Sequence, residues 1–474
     1  MSQPSSPKVL LWLVAIGFFM QTLDATIVNT ALPAMAKSLG ESPLRMQSVV
    51  VAYSLSMAML IPASGWVADR FGARRVYLCA IVLFVMGSVF CALSQSLAQL
   101  VAARVVQGLG GALLLPVGRL VVLRTFPREK FLQAMSFVAI PGLIGPLIGP
   151  TLGGWLVEVA SWHWIFLINL PVGLVGCIAT LRHMPGEPVP TSSRFDLAGY
   201  LMLAFGMMAL SLALDGLASL GLRQASVLVL MIFGLASLVA YWLHAARRPD
   251  PLFSPRLFSI DTVRIGLLGN LFARLGSSCM PFLIPLLLQV TMGHSPMQAG
   301  MMMLPVAVAG MSMKRFTTVL IKRFGYRQVL VGNTWMVGLT MASFGLTSPA
   351  QPLWIHVVQL AAFGAVNSLQ FTAMNTVTLK DLEHTMASSG NSLLSMVQMV
   401  AMGMGVAAAG AVLAAFTEFF QTAGPGLQTL HAFQATFACM GLITVASAGI
   451  FWQLSPQDRS RQPAEAAVEA REPG

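Results

Sequence analysis

Charge is what this chain has least of. Asp, Glu, Lys and Arg supply only 9% of its 474 residues, whereas 56% are hydrophobic and the mean hydropathy is +0.76. A water-soluble fold of this length would have too little polar surface to cover itself, so the composition points to an all-α polytopic membrane protein. Cysteine is scarce too. Cys79, Cys91, Cys177, Cys279 and Cys439 all fall in apolar stretches without C-x2-C spacing, and most histidines sit near loops without a ligand at helical spacing. A disulfide framework, a metal site and a cofactor are therefore not expected. The chain has no His-Glu-x2-His, Gly-x-Ser-x-Gly or Walker A pattern and no soluble stretch large enough to hydrolyse ATP, so it does not read as an enzyme.

What the chain does have is long apolar runs. Fourteen of them, from 10–33 to 430–452, can each cross a hydrocarbon core about 30 Å thick. The acids are outnumbered 17 to 28, leaving a net charge of +11. Of the 28 Lys and Arg, 20 lie in the N-terminus, the even-numbered loops and the tail, five lie in spans, and only Lys37, Arg45 and Arg223 lie in the opposite loops. That asymmetry predicts both termini in the cytoplasm. It also accounts for the net charge without nucleic acid, for which no basic and aromatic module is present.

The chain echoes itself. Asp69-Arg70-Phe71-Gly72-Ala73-Arg74-Arg75, after the second run, recurs as Lys322-Arg323-Phe324-Gly325-Tyr326-Arg327-Gln328 after the tenth. A parallel repeat of six and six spans follows if 197–216 and 224–243 are an insertion. The expected division is an N-terminal six-helix half at 1–181, a linker with two additional spans at 182–263, a C-terminal half at 264–452 and a cytoplasmic tail at 453–474. Polar, proline-rich sequence at 182–196 and 244–264 fits linkers flanking the inserted pair.

Glycine and proline crowd one span. GPLIGPTLGG between Gly145 and Gly154 is costly in mid-membrane and suggests close helix packing or a bend rather than simple anchorage. The pattern Gly145-x3-Gly149-Pro150-x2-Gly153-Gly154 resembles the antiporter motif of the major facilitator superfamily, with Ser136 where an upstream glycine is common. Gly65-x3-Asp69-Arg70-x-Gly72-x-Arg74-Arg75 resembles the same superfamily's signature loop. By that resemblance its glycines let helices approach, and Asp69 faces a helix N-terminus across the interface between halves in one transport state; Lys322 replaces the acid in the second copy. Arg104-x2-Gln107-Gly108-x-Gly110-Gly111 resembles the motif whose buried arginine is linked to proton transfer. Leu23-Asp24-Ala25-Thr26-Ile27-Val28-Asn29-Thr30-Ala31-Leu32-Pro33 and Trp162-His163-Trp164-Ile165-Phe166-x-Ile168-Asn169-x-Pro171 are similar to motifs of the fourteen-span drug:proton antiporters, and the stretch from Gly310 to Arg327 to a branch of multidrug exporters.

The resemblance implies a major facilitator fold of two six-helix halves plus two extra central helices, and a proton-coupled exporter of the multidrug-efflux type in the bacterial inner membrane. Its partners would be protons, a small-molecule substrate and the lipid bilayer, and a monomer is expected. The charges speak separately. Asp24 lies roughly 13 Å and Arg104 roughly 9 Å from the same end of their spans at 1.5 Å per residue, so the two can pair for proton coupling. Gln21, Thr26, Asn29 and Gln107 in the first half, and Asn270, Arg274, Gln359, Asn367 and Gln370 in the second, are candidates for the substrate cavity. Helix–helix hydrogen bonding explains them equally well. Five bases in spans against Asp24 as the one acid well inside keep open an exporter of an organic anion, such as a polycarboxylate or its metal chelate. A non-transporting sensor on the same scaffold is the reading from another class.

Overall fold

The computed structural model describes residues 7–126, 128–184, 195–218, 224–382, 386–420 and 427–455. Every regular element among them is helical. The first half comprises α1 (Pro7–Leu39), α2 (Pro43–Phe71), α3 (Ala73–Ala92), α4 (Leu97–Thr125), α5 (Arg128–Val159) and α6 (Trp164–His183). The inserted pair is α7 (Leu197–Ala218) and α8 (Gln224–Arg247). In the second half α9 (Asp261–Val290) precedes a single helical run, Pro296–Leu346, and α12 (Leu353–Leu379), α13 (Ala387–Phe419) and α14 (Leu427–Phe451) follow it.

The run Pro296–Leu346 is 51 residues long. A straight helix of that length would measure roughly 76 Å, more than twice the thickness of a hydrocarbon core. It turns instead at Gly325, whose φ of 81° and ψ of 161° are not helical. A Cβ added to Gly310 would stand 3.2 Å from the Gly364 carbonyl. Asn333 Nδ2 donates to the Val366 carbonyl at 2.9 Å. Two residues that a straight helix would hold about 35 Å apart thus lie beside the same turn of α12. The run is two spans, α10 (296–324) and α11 (326–346), which makes fourteen among the described residues.

The turn is the second copy of the repeated loop. Its counterpart Gly72 has φ 88° and ψ 132°, the same left-handed region that side chains avoid. Packing repeats as well. α1 packs on α5, α2 on α4 and α3 on α6; α9 packs on α13, α10 on α12 and α11 on α14. Gly108 on α4 has no room for a Cβ against the Tyr53 carbonyl, nor Gly364 on α12 against the Val306 carbonyl, and these pairs hold equivalent places in the two halves.

The inserted pair has a defined seat. α7 touches both α2 and α13, the two helices that meet across the halves, while α8 lies outside it. Asp196, just before α7, fixes this seat. Its buried carboxylate accepts the Gly199 N–H at 3.1 Å, His244 Nε2 at 2.8 Å and the Leu252 N–H at 3.3 Å, with Arg248 Nε 3.6 Å away. Burial pushes the carboxyl up, but the His244 bond and the two backbone donors more than offset this and hold it below its ordinary value.

Two outcomes are expected. Replacing Gly325 by Val forces a β-branched residue into positive φ and should lower stability by about 1–2 kcal/mol, read as a fall in the thermal midpoint of the purified protein. Because the folded-state pKa of Asp196 is depressed, its stabilisation is complete above the ordinary value of 3.8 and is lost as the pH falls through the lower folded value. A thermal-midpoint series in acid should therefore fall less steeply for Asp196→Asn than for the parent.

Candidate functional site

One polar cluster dominates the interior of the first half. Asp24 on α1 and Arg104 on α4 are each about 1% exposed. Arg104 Nη1 donates to Asp24 Oδ2 at 2.6 Å. The other carboxylate oxygen accepts from Gln107 Nε2 at 2.7 Å and Asn169 Nδ2 at 3.2 Å. Ser88 on α3 accepts from the same two amides, and Gln107 Oε1 accepts from Arg104 at 2.7 Å. The guanidinium also donates from Nε to the Val49 carbonyl at 3.3 Å and stacks 4.1 Å from the Tyr53 ring centroid. Residues of five helices thus join one cluster around the carboxylate, whose own donors come from α4 and α6.

The charge is neutralised by geometry as well as by sign. Isolated, either ion would be expensive to bury; paired, with three hydrogen bonds from the guanidinium and three to the carboxylate, they are tolerated. Arg104 and Gln107 are three residues apart and so share a face of α4. Asn169 and Ser88 escaped the sequence reading. Asn169 sits inside a motif that was recognised, but nothing in its spacing says that it reaches Asp24; Ser88, a small residue in an apolar span, gives no signal.

α1 is held by α5 on its opposite side. Thr22, Thr26 and Thr30, each four residues apart, face Gly145, Gly149 and Gly153, also four apart, and none of these glycines leaves room for a Cβ. Thr30 Oγ1 donates to the Pro150 carbonyl at 3.2 Å. Gly154, on the other face of α5, abuts the Pro296 carbonyl of α10, and Gly300 on α10 abuts Pro150. The glycine and proline stretch is therefore a contact surface that seats α5 between α1 and the second half.

Several residues expected on a cavity wall lie between helices. Gln107 belongs wholly to the buried cluster. Thr26 bonds to its own helix at Thr22 and Leu23 and faces Gly149. Gln370 accepts from Asn333 Nδ2 at 2.8 Å and donates to Thr334 Oγ1 at 2.7 Å, tying α12 to α11. Asn270 donates to Gly266 and Thr378 and accepts from Arg274 Nε at 3.1 Å. The reason is general: a polar side chain in a span needs a partner, and a neighbouring helix serves as well as water. Others keep free polar atoms. Gln21 Oε1, Asn29 Oδ1 and Arg274 Nη2 are buried without a hydrogen-bond partner, and the Arg274 guanidinium stacks 4.2 Å from the Phe371 ring. Gln359 donates to the Ser343 carbonyl, and Asn367 is half-buried one turn from Phe371.

The halves hold each other at the end away from the termini. Gln289 Nε2 donates to the Thr30 carbonyl at 2.9 Å and Thr151 Oγ1 to the Gly300 carbonyl at 3.1 Å. Glu158 accepts from Ser295 Oγ at 2.9 Å and from the Met297 N–H at 3.3 Å. At the other end the repeated loop engages its own half. Asp69 pairs with Arg124 on α4, within its own half, instead of crossing the interface. Gly65 is exposed, and an added Cβ would meet nothing within 4 Å, so it lets no helix approach in this conformation. Arg74 donates to the Leu181 carbonyl, joining α3 to α6, while Arg70 is exposed and Arg75 lies on the same helical turn as Arg74.

The fold is that of a polytopic transporter. The family model for the Major Facilitator Superfamily matches residues 14–406, and the chain belongs to that superfamily. It is 52% identical over 442 residues to the MdtD protein of Serratia proteamaculans (strain 568), covering 93% of this chain and 92% of that protein. To the MdtD of Pectobacterium atrosepticum it is 50% identical over 456 residues, 96% and 97% of the two chains. Both relatives are described, provisionally, as multidrug resistance proteins. Among solved structures, a D-xylose-proton symporter superposes with a TM-score of 0.67 at 14% identity, covering 96% of this chain and 99% of that one. A POT family transporter in complex with 5-aminolevulinic acid gives 0.69 at 15% identity, over 95% and 96%. These two share the fold.

Removing one partner of the buried pair should cost about 3–5 kcal/mol, because the other charge is left uncompensated. Asp24→Asn and Arg104→Gln should each lower the thermal midpoint, and the double variant should lose clearly less than the sum of the two. Additive losses in that cycle would show that the two residues do not interact.

Proposed function

We propose that the chain is a proton-coupled exporter of small organic compounds that works by alternating access, with Asp24 carrying the proton. The observation behind this reading is the carboxylate of Asp24, buried within a span, paired with one arginine and set in a polar cluster to which five helices contribute. In the arrangement described, Asp24 accepts three hydrogen bonds, one of them from a cation. Adding a proton removes the counter-charge of Arg104. That cation would keep Gln107 Oε1, the Val49 carbonyl and the Tyr53 face, which lowers the cost of opening the pair. Separation of α1 from α4 is then linked to protonation, which is the coupling that antiport requires.

With the termini in the cytoplasm, contacts at the distal end close the outer side. The Asp69–Arg124 pair and the uncovered Gly65 at the inner end fit a state in which the cytoplasmic gate is apart. Rocking the halves would bring the Gly65–Arg75 loop against α13 and release the α5–α10 contact. Gln21 Oε1, Asn29 Oδ1 and Arg274 Nη2 supply polar atoms for a substrate, and the names of the relatives favour a drug-like one. Arg274 supports the second reading: a guanidinium with a free nitrogen and no acid beside it suits an organic anion.

Inverted vesicles with an imposed proton gradient test both. Gradient-driven uptake of a lipophilic cation, reduced to the level of protein-free vesicles by Asp24→Asn, is the expected result. Uptake of a tricarboxylate alone, lost in Arg274→Gln, would replace the cation reading with the anion one. Binding of either compound without flux would identify a sensor and overturn the proposal.

A further inference from the structure

The outer surface of the first half carries a groove that the transport path does not use. It lies between α1 and α6, has a volume of about 420 Å³, and is lined by Val9, Trp12 and Ile16 on one side and Pro171, Val175 and Ala179 on the other. Every lining group is apolar or aromatic. Val175 is 61% exposed and Trp12 53% exposed, so the groove opens sideways towards the hydrocarbon rather than inwards. From Val9 to Ile16 it runs about 10 Å along α1, a third of the core and much of the depth of one leaflet.

Its end nearest the termini is basic. Lys8 is exposed beside Val9, and Arg182 is exposed one turn beyond Ala179 on the same side of α6. Arg74 is pinned to that corner through the Leu181 carbonyl. Neither 7–16 nor 171–184 contains an Asp or Glu. An apolar slot of leaflet depth ending at a cluster of bases matches an amphiphile with an anionic head.

We propose that this groove binds one anionic phospholipid of the leaflet facing the termini, with an acyl chain between α1 and α6 and the phosphate against Lys8 and Arg182. A chain seated there spans the two helices that, further along, carry Asp24 and Asn169. The lipid would therefore brace the relative placement of two members of the buried cluster without touching it. The proposal needs the membrane fold but not proton coupling, so failure of the transport assay leaves it standing.

Native mass spectrometry of the purified full chain with phosphatidylglycerol, phosphatidylcholine or glycerol 3-phosphate tests it. The expected result is selective retention of phosphatidylglycerol, weakened roughly fivefold for each base removed in Lys8→Gln and Arg182→Gln, at about 1 kcal/mol per base near a charged head. Ala179→Phe, which narrows the slot, should weaken both phospholipids. Equal retention of the two lipids, selectivity unchanged in the two base variants, or glycerol 3-phosphate binding as tightly as the whole lipid would overturn it. The base variants lie on the exposed surface, so the test survives if Ala179→Phe does not fold.

Discussion

A carboxylate and a guanidinium buried together set the terms for the helices around them. Either ion alone is costly in the interior of a span, and the pair is made tolerable by the further hydrogen bonds that each ion makes. That requirement explains the company it keeps: two amides that each donate to the carboxylate, a hydroxyl that accepts from both amides, a backbone carbonyl and an aromatic face. Among the described residues the second half has no such buried ion pair. Where Gly108 corresponds to Gly364, the places of Arg104 and Gln107 fall to Leu360 and Phe363, both buried and apolar. The repeat is shared in backbone packing, whereas the charge chemistry belongs to the first half.

The rotation of α1 follows from a contact that carries no charge. Three threonines spaced by four residues fit three glycines spaced by four, and this clasp fixes the face of α1 that meets α5. Asp24 lies two residues from Thr26, about 200° around the helix, and therefore points away from α5 towards α4. The same glycine-rich helix turns Gly154 to α10 in the other half. A movement of α5 that releases α10 thus acts on the helix that holds the carboxylate. This is how a motif without a titratable group can bear on coupling.

Much of this was legible in the chain. Long apolar runs gave the spans, and the echo of Asp69–Arg75 at Lys322–Gln328 anticipated two equivalent turns, because a positive φ at Gly72 and Gly325 needs the same residue. The similar depths of Asp24 and Arg104 brought them to one level, where the structure joins them. Polarity within a span was less informative. It signals that a side chain needs a partner and leaves the direction open, so Gln107, Thr26 and Gln370 read as cavity residues although Gln107 and Gln370 are satisfied by neighbouring helices and Thr26 by its own. Asn169 and Tyr53 were hidden because their roles depend on where α6 and α2 pass α1. Asp69 read as an interface residue, yet its partner here, Arg124, comes from the last turn of α4, whose position only the fold reveals.

Coupling through Asp24 requires that it take up a proton while the protein remains folded. Infrared difference spectroscopy of the purified protein, titrated across its stable pH range beside Asp24→Asn, measures this directly. The account predicts a band from a protonated carboxyl in a dry environment that appears on acidification of the parent and is missing from the variant. The same band in both proteins, or none in the parent before it unfolds, would mean that Asp24 and Arg104 form a static pair and that coupling resides elsewhere.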